Sequence, residues 1–195
     1  MKIIGLTGSI GMGKSLTSGI FQKLGTPVFD SDKCVHHLLS GSSVIKAISR
    51  TFPEAMDSRT KRIDKKRLGD IIFSDKNARR QLEDILHPMV WKEQKKFLRK
   101  CRRAGYKQVV LDIPLLFETG RNQICDKTIC VTAPYFLQRQ RVLSRPNMTE
   151  EKFISILSKQ IPDRTKRLLS NVVIQTGIGR PFTIQTIKRL LNRWR

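Results

Sequence analysis

The sequence predicts an α/β fold in which a five-stranded parallel sheet carries helices on both faces, giving three layers. Two observations support it. Short β-branched runs at Lys2–Thr7, Pro27–Asp30, Gln108–Asp112, Lys127–Val131 and Asn171–Gln175 recur between longer helical patterns, and such alternation marks strands joined by helical crossovers. Gly8-Ser9-Ile10-Gly11-Met12-Gly13-Lys14-Ser15 fits the phosphate-loop pattern G-x-x-x-x-G-K-[ST], and it lies between an apolar run and the start of a helical run, the context that gives the pattern meaning.

Each strand run is brief and nearly continuous in apolar residues, as strands buried on both faces require. Gly25, Gly105 and Gly120 punctuate the joins. The interval from about residue 33 to 107 is much longer than one crossover needs and reads as a helical side region. Within it Asp64–Phe73 has apolar residues at helical spacing, and Ser74 or Asp75 is placed to cap a helix running through Leu86. Pro88 is expected to break that helix before the next one, whose face holds Val90, Phe97, Leu98 and Cys101. After the fourth strand Ala133-Pro134 opens a helix, Pro146-Asn147 makes a turn, and Thr149 with Lys152 forms half a capping box.

A chain of 195 residues with 39% hydrophobic content supports a substantial core. Its amino-terminal apolar run is too short for a secretory signal, and no stretch reaches membrane-spanning length. The expectation is a cytoplasmic protein without a membrane partner. Cys34, Cys101, Cys125 and Cys130 include no C-x-x-C pair and read as reduced structural thiols. The formal charge of +22 attracts polyanions. It is spread over Lys61-Arg62, Lys65 to Arg67, Arg79-Arg80, Lys92 to Arg103 and Lys188 to Arg195 without interleaved aromatic stacking platforms, so solvated helix faces are expected and nucleic acid is not.

The glycines let backbone amides turn inward around phosphate oxygens, and the following helix presents its positive end to the same anion. Lys14 is placed to reach the β- and γ-phosphates and Ser15 to bind Mg²⁺. Asp30-Ser31-Asp32 follows the second strand at the edge where open α/β sheets bind ligands. There one carboxylate could take the proton of an attacking hydroxyl or help hold Mg²⁺, while Asp30 or Ser31 could instead cap the next helix. The third strand ends in Asp112 after an apolar run, a weak metal-site signal, and continues as Ile113-Pro114-Leu115-Leu116-Phe117-Glu118, suited to walling a partly nonpolar substrate. Arg141 and Arg145, four residues apart, would share one helix face as a phosphate clamp or as a solvated basic face.

The phosphate loop with Gly5-Leu6-Thr7, the Asp30-Ser31-Asp32 triplet, His87-Pro88 with Val90, Leu111 to Glu118, and Gln138 with Arg141 and Arg145 resemble the dephospho-CoA kinase family in the same order, over nearly the whole chain. The resemblance implies a P-loop kinase fold with a core (about 1–32, 108–137 and 166–195), a helical CoA-binding insertion (about 33–107) and a helical lid (about 138–165). It implies transfer of the ATP γ-phosphate to the ribose 3′-hydroxyl of dephospho-CoA, with Mg²⁺, by a monomer or small homo-oligomer. Asp32 would be the base, assisted by Lys14 and Arg141. ATP would be held by Gly8, Ser9, Ile10, Gly11, Met12, Gly13, Lys14, Ser15 and Leu16, with Arg141, Arg145 and Gln175. The acceptor would meet Asp32, His87, Asp112, Leu115, Leu116 and Glu118, and the metal Ser15, Asp32 and Asp112. The chain departs from the family at Met12, which replaces a loop serine, and at Ser170 and Gln175, which replace a late aspartate and asparagine. Another small-molecule or nucleotide kinase, or a basic RNA-associated ATPase, are the alternatives.

Overall fold

In the computed structural model, which describes residues 1–194 and leaves Arg195 of the terminal basic run outside them, five strands form one parallel sheet. They are β1 (Lys2–Thr7), β2 (Val28–Asp30), β3 (Gln108–Asp112), β4 (Lys127–Thr132) and β5 (Val172–Gln175), in the order β2-β3-β1-β4-β5. All five lie where the β-branched runs place them. The chain builds β2 and β3 on one side of β1 and β4 and β5 on the other, a reversal that opens a crevice at the carboxyl edge of β1.

Two compact units make up the chain, one of residues Met1–Asp30 with Lys100–Arg195 and one of Ser31–Arg99. In the first, Ile4, Leu6, Val110, Ile129, Val131 and Ile174 turn one sheet face toward α1 (Lys14–Lys23) and α9 (Arg180–Arg193), where Ile20, Phe21, Ile187 and Leu191 close the core. Each such buried side chain contributes about 1.5–3 kcal/mol. Gly5 alternates to the other face, where a Cβ would lie 2.8 Å from Cys125 Sγ and 2.9 Å from Leu116 Cδ2. The same unit contains α6 (Tyr135–Leu143), α7 (Glu150–Ser158) and α8 (Asp163–Leu169). Asn147 turns the chain between α6 and α7 at φ 59°, and Thr149 Oγ1 caps α7 by accepting from Lys152 N at 3.4 Å.

The second unit holds α2 (Ser31–Leu38), α3 (Ser42–Thr51), α4 (Lys65–Ser74) and most of α5 (Lys76–Arg103), around Val44, Ile48, Phe52, Leu68, Leu82 and Leu86. Asp64 caps α4 by accepting from Lys66 N and Arg67 N at 3.0 and 3.1 Å, and Asp75 accepts from Asn77 N at 2.7 Å where α5 begins. Pro88 corrects the sequence expectation: α5, 28 residues in all, runs unbroken through it. A proline removes one helical donor at a cost of about 3 kcal/mol. Here Leu82, Ile85 and Leu86 before it and Met89 after it pack into one apolar cluster, so breaking the helix at Pro88 would expose surface that the continuous helix buries.

None of the four cysteines, all among the described residues, is joined in a disulfide. Burial pushes the thiols of Cys125 and Cys130 up to about 12, which leaves them protonated and inert. No described helix is long and apolar enough to cross a membrane.

Candidate active site

The phosphate loop takes its shape from alternating backbone handedness. Gly11 and Gly13 have φ of +77° and +85°, and the intervening Met12 does not share that conformation. This alternation makes successive amides converge into an anion-binding nest. Gly13 caps α1, whose first helical bond runs from Thr17 N to Gly13 O, so the amides of the first turn have no intrahelical acceptors and face the loop. Gly8 is required by close packing, because a Cβ there would lie 2.5 Å from Val131 Cγ2.

Two expected ATP contacts are used otherwise. Ile10 N donates to Gln160 Oε1 at 3.2 Å, and Met12 N donates to Ser9 O at 3.2 Å. The Met12 side chain is buried in the core, where its Sδ accepts from Ala133 N at 3.1 Å. Met12 thus serves as a packing residue while the nest is kept. Ser15 and Leu16 are exposed at the start of α1.

Lys14 Nζ donates to Asp112 Oδ1 at 2.6 Å. Asp112 is 2% exposed and lies in register with Leu6 on one side and Asp30 on the other. Burial first, then repulsion from Asp30, raise its pKa, against the pull of Lys14 and a hydrogen bond from Ser18. Among the described residues no three His, Cys, Asp or Glu side chains gather as a metal cage. The Ser15 hydroxyl and Asp112 carboxylate instead offer hard oxygen donors beside a phosphate nest, the set that suits an ion such as Mg²⁺, which keeps water and takes phosphate oxygens.

Helix α6 lies against the loop. Arg141 donates from Nη1 to Thr176 Oγ1 at 3.1 Å and from Nη2 to Thr176 O at 3.2 Å. Thr176 Oγ1 in turn donates to Met12 O at 2.8 Å. Arg145 corrects the shared-face expectation: α6 ends at Leu143, and Arg145 is exposed in the following turn, its N bonded to Val142 O. Gln175 ends β5 in register with Thr132 and is half-buried, and Ser170 Oγ donates to Lys166 O.

The segment after β3 also departs from expectation. Leu116 is wholly buried against Gly5 and cannot wall a substrate, whereas Leu115 is half-buried. Glu118 Oε1 pairs with Lys166 Nζ at 2.7 Å and accepts from Ile161 N at 3.0 Å. Lys166, with no exposed surface, also donates to Pro114 O at 3.2 Å, an oxygen shared with the Thr7 hydroxyl. Glu118 therefore fastens the turn after β3 to α8. A cavity of about 410 Å³ lies beside the first half of the loop, bounded by Ser9, Gln138, Leu157, Gln160 and Asp163.

Asp32 and His87 belong to the second unit. Asp32 is exposed in the first turn of α2, two residues along the chain from Asp30. His87 is half-buried in α5 and stacks on Trp91 with ring centroids 5.8 Å apart.

Sequence reasoning did not find Thr176, Gln160 or Lys166. The position of Thr176 directly after the last strand was the one available signal. A glutamine in a connection and a lysine among thirty-eight basic residues carry none.

Comparison with known proteins gives a consistent set of relatives. The profile of the dephospho-CoA kinase family matches residues 2–179. A dephospho-CoA kinase from Mesorhizobium japonicum is 48% identical over 179 residues, covering 92% of this chain and 89% of that protein. One from Bartonella quintana is 41% identical over 192 residues, covering 98% and 97%. Among solved structures, dephospho-CoA kinase from Campylobacter jejuni superposes with a TM-score of 0.71 at 26% identity, covering 98% and 96% of the two chains. A shikimate kinase from Acinetobacter baumannii shares the fold, with a TM-score of 0.58 at 17% identity over 99% and 94%.

Proposed function

We infer, from the premise that the chain belongs to the dephospho-CoA kinase family, that it carries out the ATP-dependent step of coenzyme A biosynthesis that its relatives are named for. It is a transferase using ATP, with dephospho-CoA as acceptor. The ribose 3′-oxygen attacks the γ-phosphorus, a new O–P bond forms as the bond to the β-phosphate oxygen breaks, and CoA and ADP result.

The observation that carries this reading is the nest at Gly11 to Ser15 with Lys14 and the buried Asp112 beneath it. We assign the roles accordingly. The amides at the start of α1 hold the phosphates, and Lys14 exchanges Asp112 for β- and γ-phosphate oxygens. Arg141, on the helix against the loop, adds positive charge where the transferred group becomes most anionic. Asp32 takes the proton of the attacking hydroxyl, as an exposed carboxylate in the first turn of the helix after β2 can do. Leu115 and His87 remain candidate acceptor contacts, and Leu116 and Glu118 do not. Ser15 and Asp112 would hold Mg²⁺, which when bound neutralises charge between the phosphates. The cytoplasm as the location belongs to the same proposal.

The test is an acceptor assay. Purified protein with ATP is expected to convert dephospho-CoA to CoA and to leave nucleoside monophosphates unchanged. Transfer to a monophosphate without CoA formation, or hydrolysis that needs RNA, would overturn the assignment.

A further inference from the structure

One face of α6 grips the phosphate loop at three successive residues. Gln138, 3% exposed, donates from Nε2 to Ile10 O at 2.7 Å. Val142, four residues on, packs on Gly11, where a Cβ would come within 2.6 Å of its Cγ2. Arg141 holds Thr176, whose hydroxyl donates to Met12 O at 2.8 Å. On the far side of the excursion formed by α6 and α7, Gln160 accepts from Ile10 N.

These contacts fix which way each peptide faces. The peptides are planar and none is cis, so the N–H of each residue points opposite the preceding C=O. A donor holding Ile10 O outward turns Gly11 N–H inward, and a donor holding Met12 O outward turns Gly13 N–H inward. Gln160 turns the peptide before Ile10 the other way and removes its amide from the anion. An outward carbonyl without a donor would be left unsatisfied, in a part-buried position at Ile10 and a buried one at Met12, which the loop would relieve by rotating the peptide and withdrawing the amide from the nest.

We propose that Gln138 and Thr176 are positioning residues for the nucleotide phosphates, holding the Ile10 and Met12 carbonyls so that the Gly11 and Gly13 amides are presented to the anion before it binds. This rests on the kinase reading above only in taking the anion to be the triphosphate. The lid region then belongs to the phosphate site as its template as well as its cover.

The direct test uses the unaltered chain with inorganic tripolyphosphate as probe, followed by amide NMR. Large shifts at Gly11 and Gly13 with little change at Ile10 are expected, and shifts at Ile10 without them would overturn the proposal. Gln138→Met keeps the side-chain volume and removes the donor. It is expected to weaken both tripolyphosphate and ATP binding about tenfold, or ~1.4 kcal/mol, with the KM for dephospho-CoA within about twofold and the melting temperature retained. Thr176→Val is expected to weaken the same two ligands and Thr176→Ser to restore them. Equal binding of tripolyphosphate by folded Gln138→Met protein would also overturn the proposal. Failure of the acceptor assay with these amide shifts intact would instead remove the functional reading alone.

Discussion

Lys14 Nζ and Asp112 Oδ1 are 2.6 Å apart beneath the phosphate loop, and the carboxylate is almost wholly buried. The lysine that is to serve the nucleotide is therefore also the counter-charge of a buried acid. Removing one partner of such a pair costs more than removing both, because the survivor keeps its desolvation penalty.

Lys14→Met is expected to lose about 3 kcal/mol of stability at pH 7 as well as ATP binding, and Lys14→Met with Asp112→Asn to regain most of the stability but none of the activity. Asp112 has its folded pKa above the ordinary 3.8. Its contribution is thus fully present below pH 3.8 and is lost as pH rises through the raised value. The deficit of Lys14→Met should shrink between pH 7 and pH 4, because the raised pKa lets Asp112 take up its proton sooner than an ordinary carboxyl as pH falls. Urea denaturation at the two pH values measures both effects, and an equal deficit at each would exclude the buried charge as its cause.

Asp32→Asn is expected to lower kcat by about 10²–10⁴-fold, the range for removing a general base, with little change in ATP affinity. Steady-state kinetics with calorimetric ATP titration separates the two, and unaltered turnover would remove Asp32 from the base role.

Lys166→Met leaves Glu118 without its buried partner and is expected to cost about 3–5 kcal/mol. Lys166→Met with Glu118→Leu should recover a large part of that loss in thermal denaturation, since no unpaired charge then remains. If Glu118 also contacts the acceptor, Glu118→Gln will raise the KM for dephospho-CoA in addition to the stability it loses by leaving Lys166 unpaired.

Gly8→Ala and Gly19→Ala should move stability in opposite directions. At Gly8 a Cβ would meet Val131 Cγ2 at 2.5 Å and Val131 O at 2.8 Å. The second contact is backbone of the neighbouring strand, so a loss of at least ~1–3 kcal/mol is expected. At Gly19, inside α1, nothing lies within 4 Å, and alanine should gain about 0.5–1 kcal/mol by restricting the unfolded chain. Melting temperatures of the two variants check both signs.

The strands were legible because their apolar runs are continuous and separated by clear helical patterns. All five sit within a residue of the expected ends. The phosphate loop was legible because its spacing is set by backbone geometry. Pro88 misled because local propensity favours a break there, while packing on both sides of it favours continuity. Arg145 misled because spacing alone cannot say where α6 stops, and Leu116 because an apolar residue after a strand serves equally as wall or core.

The chemistry available to this chain was written in local patterns, since a nest, a lysine and a strand-end carboxylate each depend on a few adjacent residues. Tertiary structure alone decided who holds them. Gln138, Gln160 and Thr176 reach the loop from 128, 150 and 164 residues away. No periodicity encodes such contacts, because a hydrogen bond between distant segments depends on how the sheet and its helices bring them together and not on what precedes or follows each residue.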